Sequence, residues 1–128
     1  MILSRAAALL VIAATALPGC MIVAGAAVGA GVVHATGDDT LEVVLHSPPG
    51  KVYDEAEEVV RTRGAIEARR PLLREIDGSV SGASVTVTVL PEEPSQSRLR
   101  VKARRNAGIS PDLETAEQVA SWILKRVT

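Results

Sequence analysis

Phenylalanine is absent from this 128-residue chain, and one tyrosine and one tryptophan are its only aromatic residues. So few rings exclude the stacking platform on which single-stranded nucleic-acid binding relies, and they argue equally against stacking on sugar rings. A single cysteine, Cys20, excludes an internal disulfide. The two histidines, His34 and His46, stand apart in sequence and form no metal-ligand spacing. No sign of charge dominates: 14 basic residues face 15 acidic ones, for a net charge of −1. The basic excess of a nucleic-acid binder is therefore missing. Charge is also missing locally, because residues 6–33 carry none and hold a single hydroxyl side chain, Thr15. The chain thus divides into an apolar N-terminal stretch and an ordinary charged module, together one domain's worth at most.

The apolar stretch has an order of its own. Met1 to Arg5 form a short segment with one positive charge, and Ala6 to Ala16 form an apolar run of signal-peptide length. The positive charge holds the N-terminus on the cytoplasmic side. Leu17-Pro18-Gly19-Cys20 follows and resembles the lipobox of bacterial lipoproteins: an aliphatic residue, a variable one, a small one, then cysteine. The resemblance implies that the Cys20 thiol takes a diacylglyceryl group and that the leader is cut between Gly19 and Cys20. Residues 1–19 would be the signal peptide, and Cys20 the first residue of the mature protein. Two or three acyl chains give stable anchoring where one is marginal. Met21 follows the cysteine, where an Asp would mark inner-membrane retention in enterobacterial lipoproteins; this points to the outer membrane, with the module facing the periplasm. The competing reading is an uncleaved helix, since about 20 apolar residues suffice to span a bilayer. Pro18 and Gly19 in the middle of such a helix would weaken it.

Residues 21–33 are rich in Gly, Ala and Val. Gly25 and Gly29 have the spacing that lets membrane helices approach closely, so an uncleaved chain would have a way to self-associate. At about 1.5 Å per residue the segment makes a helix of roughly 20 Å, too short to span, and an apolar tether is the simpler expectation. His34 to Asp39 read as a polar linker. Residues 20–39 are then tether and residues 40–128 the module.

In the module, Leu41, Val43 and Leu45 alternate as in a strand. Ser47 is a plausible N-cap for a helix with Pro48 and Pro49 in its first turn. Val52, Ala56, Val59 and Val60 recur on one helical face, and Gly64 marks the stop. Four strand patterns follow. Ile66 and Ala68 alternate with charged residues, and Pro71 places an edge or turn next to them. Ile76, Gly78 and Val80 alternate up to a hairpin at Ser81-Gly82-Ala83. Val85, Val87 and Val89 come next, then a loop at Pro91–Ser95, then Leu99, Val101 and Ala103. A last helix begins near Ser110 with Pro111 in its first turn. Its apolar face is Leu113, Ala116, Val119, Ala120, Ile123, Leu124 and Val127. The expectation is an α+β two-layer sandwich in the order β-α-β-β-β-β-α, with the second and third strands separate or one bent strand. Strict alternation implies an antiparallel sheet with one buried face, covered by both helices.

Gly19-Cys20, the glycines from Gly25 to Gly31, the helix from Val52 to Gly64, and Asp77-Gly78 make the layout similar to that of a family of short bacterial lipoproteins. The similarity runs over the whole chain but in sparse positions. The family brings no established activity, so it implies a fold and an anchor and no chemistry.

A search for chemistry leaves little. Gly78-Ser79-Val80-Ser81-Gly82 has valine where a G-x-S-x-G nucleophile would stand, and it precedes a hairpin rather than a helix. Asp38-Asp39, Glu57-Glu58 and Glu92-Glu93 are neighbours in sequence, and adjacent residues on a helix do not face each other; all three read as solvated charge. No glycine-rich phosphate loop stands between a strand and a helix. No catalytic residue, metal or cofactor is expected, although an enzyme with an unrecognised site is the rival reading. The most distinctive surface is a strand face with Arg98, Arg100, Lys102 and Arg104 in alternation, flanked by Thr86 and Thr88. It reads as a docking face for an anionic partner such as lipid headgroups or an envelope polymer, or for an envelope protein. Glu75 and Asp77 should lie one strand further over and partly neutralise it. The plainer alternative is a solvated sheet face kept soluble by its charges.

Overall fold

The computed structural model describes residues 33–128. The signal peptide, Gly19, Cys20 and the Gly25/Gly29 pair lie outside the described residues. The elements run β1 (Val33–Ala35), β2 (Thr40–Leu45), α1 (Pro49–Arg63), β3 (Gly64–Arg70), a 3-10 turn (Pro71–Leu73), β4 (Glu75–Val80), β5 (Ala83–Glu93), β6 (Gln96–Arg105), β7 (Ser110–Pro111) and α2 (Leu113–Val127). They form the α+β fold that the alternation predicts. Every strand pairing is antiparallel, in the order β1-β2-β6-β5-β4-β3, with β7 added beside the end of β6. α1 packs on β3 to β6, and α2 on β6 and β2. Both helices therefore lie on one face, and no described element covers the other.

The valine-rich alternation builds this sheet because β-branched side chains fit a pleated, half-buried surface. Leu41, Val43 and Leu45 of β2, Ile76 and Val80 of β4, Val85, Val87 and Val89 of β5, and Leu99 and Val101 of β6 are all buried. Val52, Ala56, Val59 and Val60 of α1, and Ala116, Val119, Ala120, Ile123 and Leu124 of α2, close over them. Each buried Val, Leu or Ile contributes about 1.5–3 kcal/mol relative to exposure. Gly78 faces this layer, and the space for a side chain there is already filled. A Cβ would sit 2.4 Å from the Ala65 carbonyl oxygen and 2.7 Å from Val60 Cγ1. The hairpin at Ser81-Gly82 has positive φ at both residues, 52° and 81°, the geometry that matches the twist of the strands it joins.

The structure corrects several local expectations. The linker read over 34–39 opens with a strand, because Val33–Ala35 pairs with β2. Ser47 does not cap α1. Pro48 occupies the N-cap without a side-chain bond, while the Ser47 carbonyl accepts the Ser97 hydroxyl at 2.6 Å. Ser110 and Pro111 belong to β7, and α2 begins one residue after Asp112. The Asp112 carboxylate accepts from the Thr115 N–H at 3.2 Å and from the Thr115 hydroxyl at 2.6 Å, as an N-cap should. Pro91 to Glu93 extend β5, so the loop read there shrinks to Pro94-Ser95. β3 and β4 are two strands, hinged by the Pro71 turn.

The alternation of Ile66 with Ala68 also fails. Ile66 stands opposite Gly78, while Ala68 stands opposite Asp77, the next residue along β4, so Glu67 is the extra residue of a bulge. One extra residue turns the following side chains over. Arg69 consequently reaches Glu57 of α1 at 2.7 Å. Arg70 turns to the opposite face, where it meets Glu75 at 2.7 Å and Asp77 at 2.5 Å.

Candidate functional site

The uncovered face is built by register. Glu75 of β4 stands opposite Thr88 of β5, Thr88 opposite Arg100 of β6, Arg100 opposite Glu42 of β2, and Glu42 opposite His34 of β1. The next row of this face runs Asp77, Thr86, Lys102, Thr40. Both rows follow from the period of two, which places every second side chain on one face. Arg98, Arg100, Lys102, Arg104, Thr86 and Thr88 do come together as the sequence reading expects, and Glu75 and Asp77 do flank them.

Their charges are largely engaged with one another. Glu42, only 8% exposed, accepts from Arg98 Nη1 at 3.0 Å and from Arg100 Nε at 2.7 Å. Arg98 also pairs with Glu92. Arg104 pairs with Asp39 and donates to the carbonyls of Gly108 at 2.7 Å and Ile109 at 3.2 Å. The Thr86 hydroxyl donates to Asp77 at 3.0 Å, and the Thr88 hydroxyl to Glu75 at 3.4 Å. Among the described residues, Lys102 is the one cation of the β6 alternation without a carboxylate partner. The surface is a mixed-charge ladder: the arginine strand β6 lies beside Glu42 of β2, and the threonines of β5 separate it from Glu75 and Asp77 of β4.

Electrostatics follow the contacts. Burial works to raise the Glu42 carboxyl and is the largest single influence, but the hydrogen bonds from Arg100 and Arg98 together outweigh it and hold the group below its ordinary value. Asp39 is lowered first by the Thr40 hydroxyl, whose bond to it is 2.7 Å, then against some burial by Arg104. Arg98 is pushed up by its bonds to Glu92 and Glu42. These groups are ionised throughout the neutral range.

Glu42 is the member that sequence reasoning missed, while Asp39 and Glu92, read as solvated charge, bond Arg104 and Arg98. A signal was present: Glu42 is the one charged residue of β2. Its partner strand was not readable, because β2 pairs with β6, more than fifty residues away in sequence. Glu57 and Glu58, read as solvated charge, bond Arg69 and Arg61. His46 Nδ1 lies 3.0 Å from Gln96 Nε2, while His34 sits on β1. Among the described residues, no three His, Cys, Asp or Glu side chains form a group that could hold a metal ion.

A second feature lies on the helical layer. Val59, Thr62 and Arg63 of α1 and Trp122, Lys125 and Arg126 of α2 line a recess of about 170 Å³. The Arg63 guanidinium lies over the Trp122 ring, 4.5 Å from its centre, and Arg126 Nε bonds Glu55 at 2.6 Å. Both contacts tie α1 to α2 across the outer side of the layer. Among the described residues, no helix is long and apolar enough to cross a membrane. The chain matches no protein-family model, and no curated protein is significantly similar to it.

Proposed function

We propose that this chain is a membrane-anchored envelope lipoprotein with a non-enzymatic binding role, its lipid on Cys20 and its open sheet face turned to a protein partner. The observation that carries the anchor is the sequence Leu17-Pro18-Gly19-Cys20, the chain's one cysteine at the end of an uncharged run. The anchor holds the module at the periplasmic side of the envelope, and Met21 in place of Asp favours the outer membrane.

Charge pattern selects the kind of partner. A polyanion needs accessible cations, and Arg98, Arg100 and Arg104 already spend theirs on Glu42, Glu92 and Asp39. A protein surface with its own alternating charges can exchange pairs with the ladder strand by strand, and such complementarity fixes partner and register more than raw affinity. Each pair exposed at the rim adds little alone, which suits a docking surface that must release.

The test is the intact mass of the protein extracted from its native membrane, for the parent chain and for Cys20→Ser. Lipidation predicts a mass of residues 20–128 plus a diacylglyceryl group, with or without a third acyl chain. In Cys20→Ser the leader stays on and lipid labelling stops. Normal processing of Cys20→Ser would overturn the assignment.

A further inference from the structure

We propose that the turn Pro71–Leu73 is a second membrane contact, which seats Leu72 and Leu73 in the lipid surface and stands the sheet upright on the bilayer. This rests on the membrane anchoring proposed above and adds to it the orientation of the module. Leu72 is 97% exposed and Leu73 is 64% exposed. They are adjacent on a turn that is tied down rather than loose. The Arg74 N–H donates to the Pro71 carbonyl at 3.1 Å, and the Val89 N–H donates to the Arg74 carbonyl at 3.0 Å. Arg70, just before the turn, is held by Glu75 and Asp77. Neither leucine belongs to the core, so folding does not account for them.

Their place in the sheet identifies the occupant. Val33 stands opposite Val43, Val43 opposite Leu99, and Leu99 opposite Val89, which is the residue bonded to the turn. The chain therefore enters the sheet at the level of the leucine turn, and β1 runs from there toward the other end. Between Cys20 and Val33 the sequence is uncharged and spans at most about 45 Å even fully extended. A lipid on Cys20 thus keeps the point where the chain enters the sheet within about 45 Å of the bilayer, and tethering raises the effective concentration of a weak second contact. Among the described residues, the third large exposed apolar side chain, Ile109 at 77%, lies in the β6–β7 turn at the opposite end and serves as an internal control. Upright, the module presents its charge ladder sideways, to neighbours in the envelope rather than to the membrane beneath.

The test uses the full chain in phosphatidylethanolamine and phosphatidylglycerol vesicles. Leu72→Cys and Ile109→Cys each carry an environment-sensitive fluorophore, and intact mass is taken from the same samples. Both positions are exposed, so neither substitution touches the core. The unsubstituted chain reports any label taken up by Cys20. The expected result is a blue shift and loss of intensity to lipid-borne quenchers at position 72, with position 109 unaffected. A lipidated mass with position 72 as unquenched as position 109 overturns the orientation and leaves the anchor standing. An unlipidated mass without quenching overturns both, whereas an unlipidated mass with quenching at 72 keeps the contact and removes the lipid. The same labelled chains are also read in native membranes, where a blue shift at position 72 insensitive to lipid quenchers would mean that a protein covers the turn and would overturn the proposal.

Discussion

At the residue scale, the buried side-chain polar atoms of the described residues are hydrogen-bonded with one exception. Tyr53 of α1 buries its hydroxyl with no hydrogen-bond partner, and burial first, then Glu57, pushes its pKa up. A buried polar atom without a partner costs about 1–3 kcal/mol, most of which is recovered by removing the atom itself. Tyr53→Phe is therefore expected to raise stability by about 1 kcal/mol, read as an upward shift of the denaturant midpoint at unchanged slope. A fall in stability would show that the hydroxyl finds water or a carboxylate in solution. The sequence offered no warning of this atom. The 53rd position reads as a flank of the apolar stripe, and which side of a helix's flank closes over depends on what packs there.

At the scale of elements, the contact of α1 with β3 and β4 depends on a missing side chain. Gly78 lets the Ala65 carbonyl and Val60 approach within 2.4 and 2.7 Å of where its Cβ would be. The first of these neighbours is backbone and cannot swing aside. Gly78→Ala is expected to cost about 1–3 kcal/mol, the usual penalty of overpacking. Equilibrium unfolding measures it, and an unchanged midpoint would mean that β3 slides freely past β4. The alternation of Ile76, Gly78 and Val80 marked position 78 as inward-facing. It did not mark the closeness of the helix, nor the bulge at Glu67 that turns Arg69 to the helix-covered face and Arg70 to the open one. A bulge is a mismatch between two strands and has no signature in either one. Helix ends were similarly half legible: Gly64 stops α1 as expected, while the start of α2 moved past Ser110-Pro111, because those residues complete a β-bridge with Arg104 and Arg105.

At the scale of the whole molecule, charge distribution sets the response to pH. Glu42, Asp39 and Asp112 all have lowered pKa values in the fold. For Asp112, burial raises the group, but its bonds to Thr115 and Arg105 prevail. A carboxyl with a depressed folded pKa stabilises the fold above its unfolded value, about 4. That contribution is lost as the pH falls through the folded pKa. Stability is thus expected to be flat through the neutral range and to decline below about pH 4. Glu42→Gln should flatten part of that acid limb while lowering stability at pH 7 by about 1–2 kcal/mol, less than a charged hydrogen-bond pair is worth when dry, since Arg98 and Arg100 remain open to water. Thermal midpoints of both proteins between pH 3 and pH 7, roughly the range spanned by carboxyl titration, decide it. Parallel profiles would remove Glu42 from the account.

Sequence alone was enough for the period and the buried face of β2, β4, β5, β6 and both helices, though not for β1, β3 and β7. Alternating valines make strands and the three-to-four spacing of Val52 to Val60 makes a helix, because these patterns are local and each repeats several times. It also determined the uncharged run with its single cysteine, on which the proposed anchor rests. The tertiary fold was needed to set which strands are neighbours, and hence that the arginines of β6 lie between Glu42 on one side and Glu75 and Asp77 beyond β5 on the other. It alone put the Leu72–Leu73 turn level with Val33. Strand order joins residues tens of positions apart through loops whose closure depends weakly on length, so nothing local in the chain encodes it.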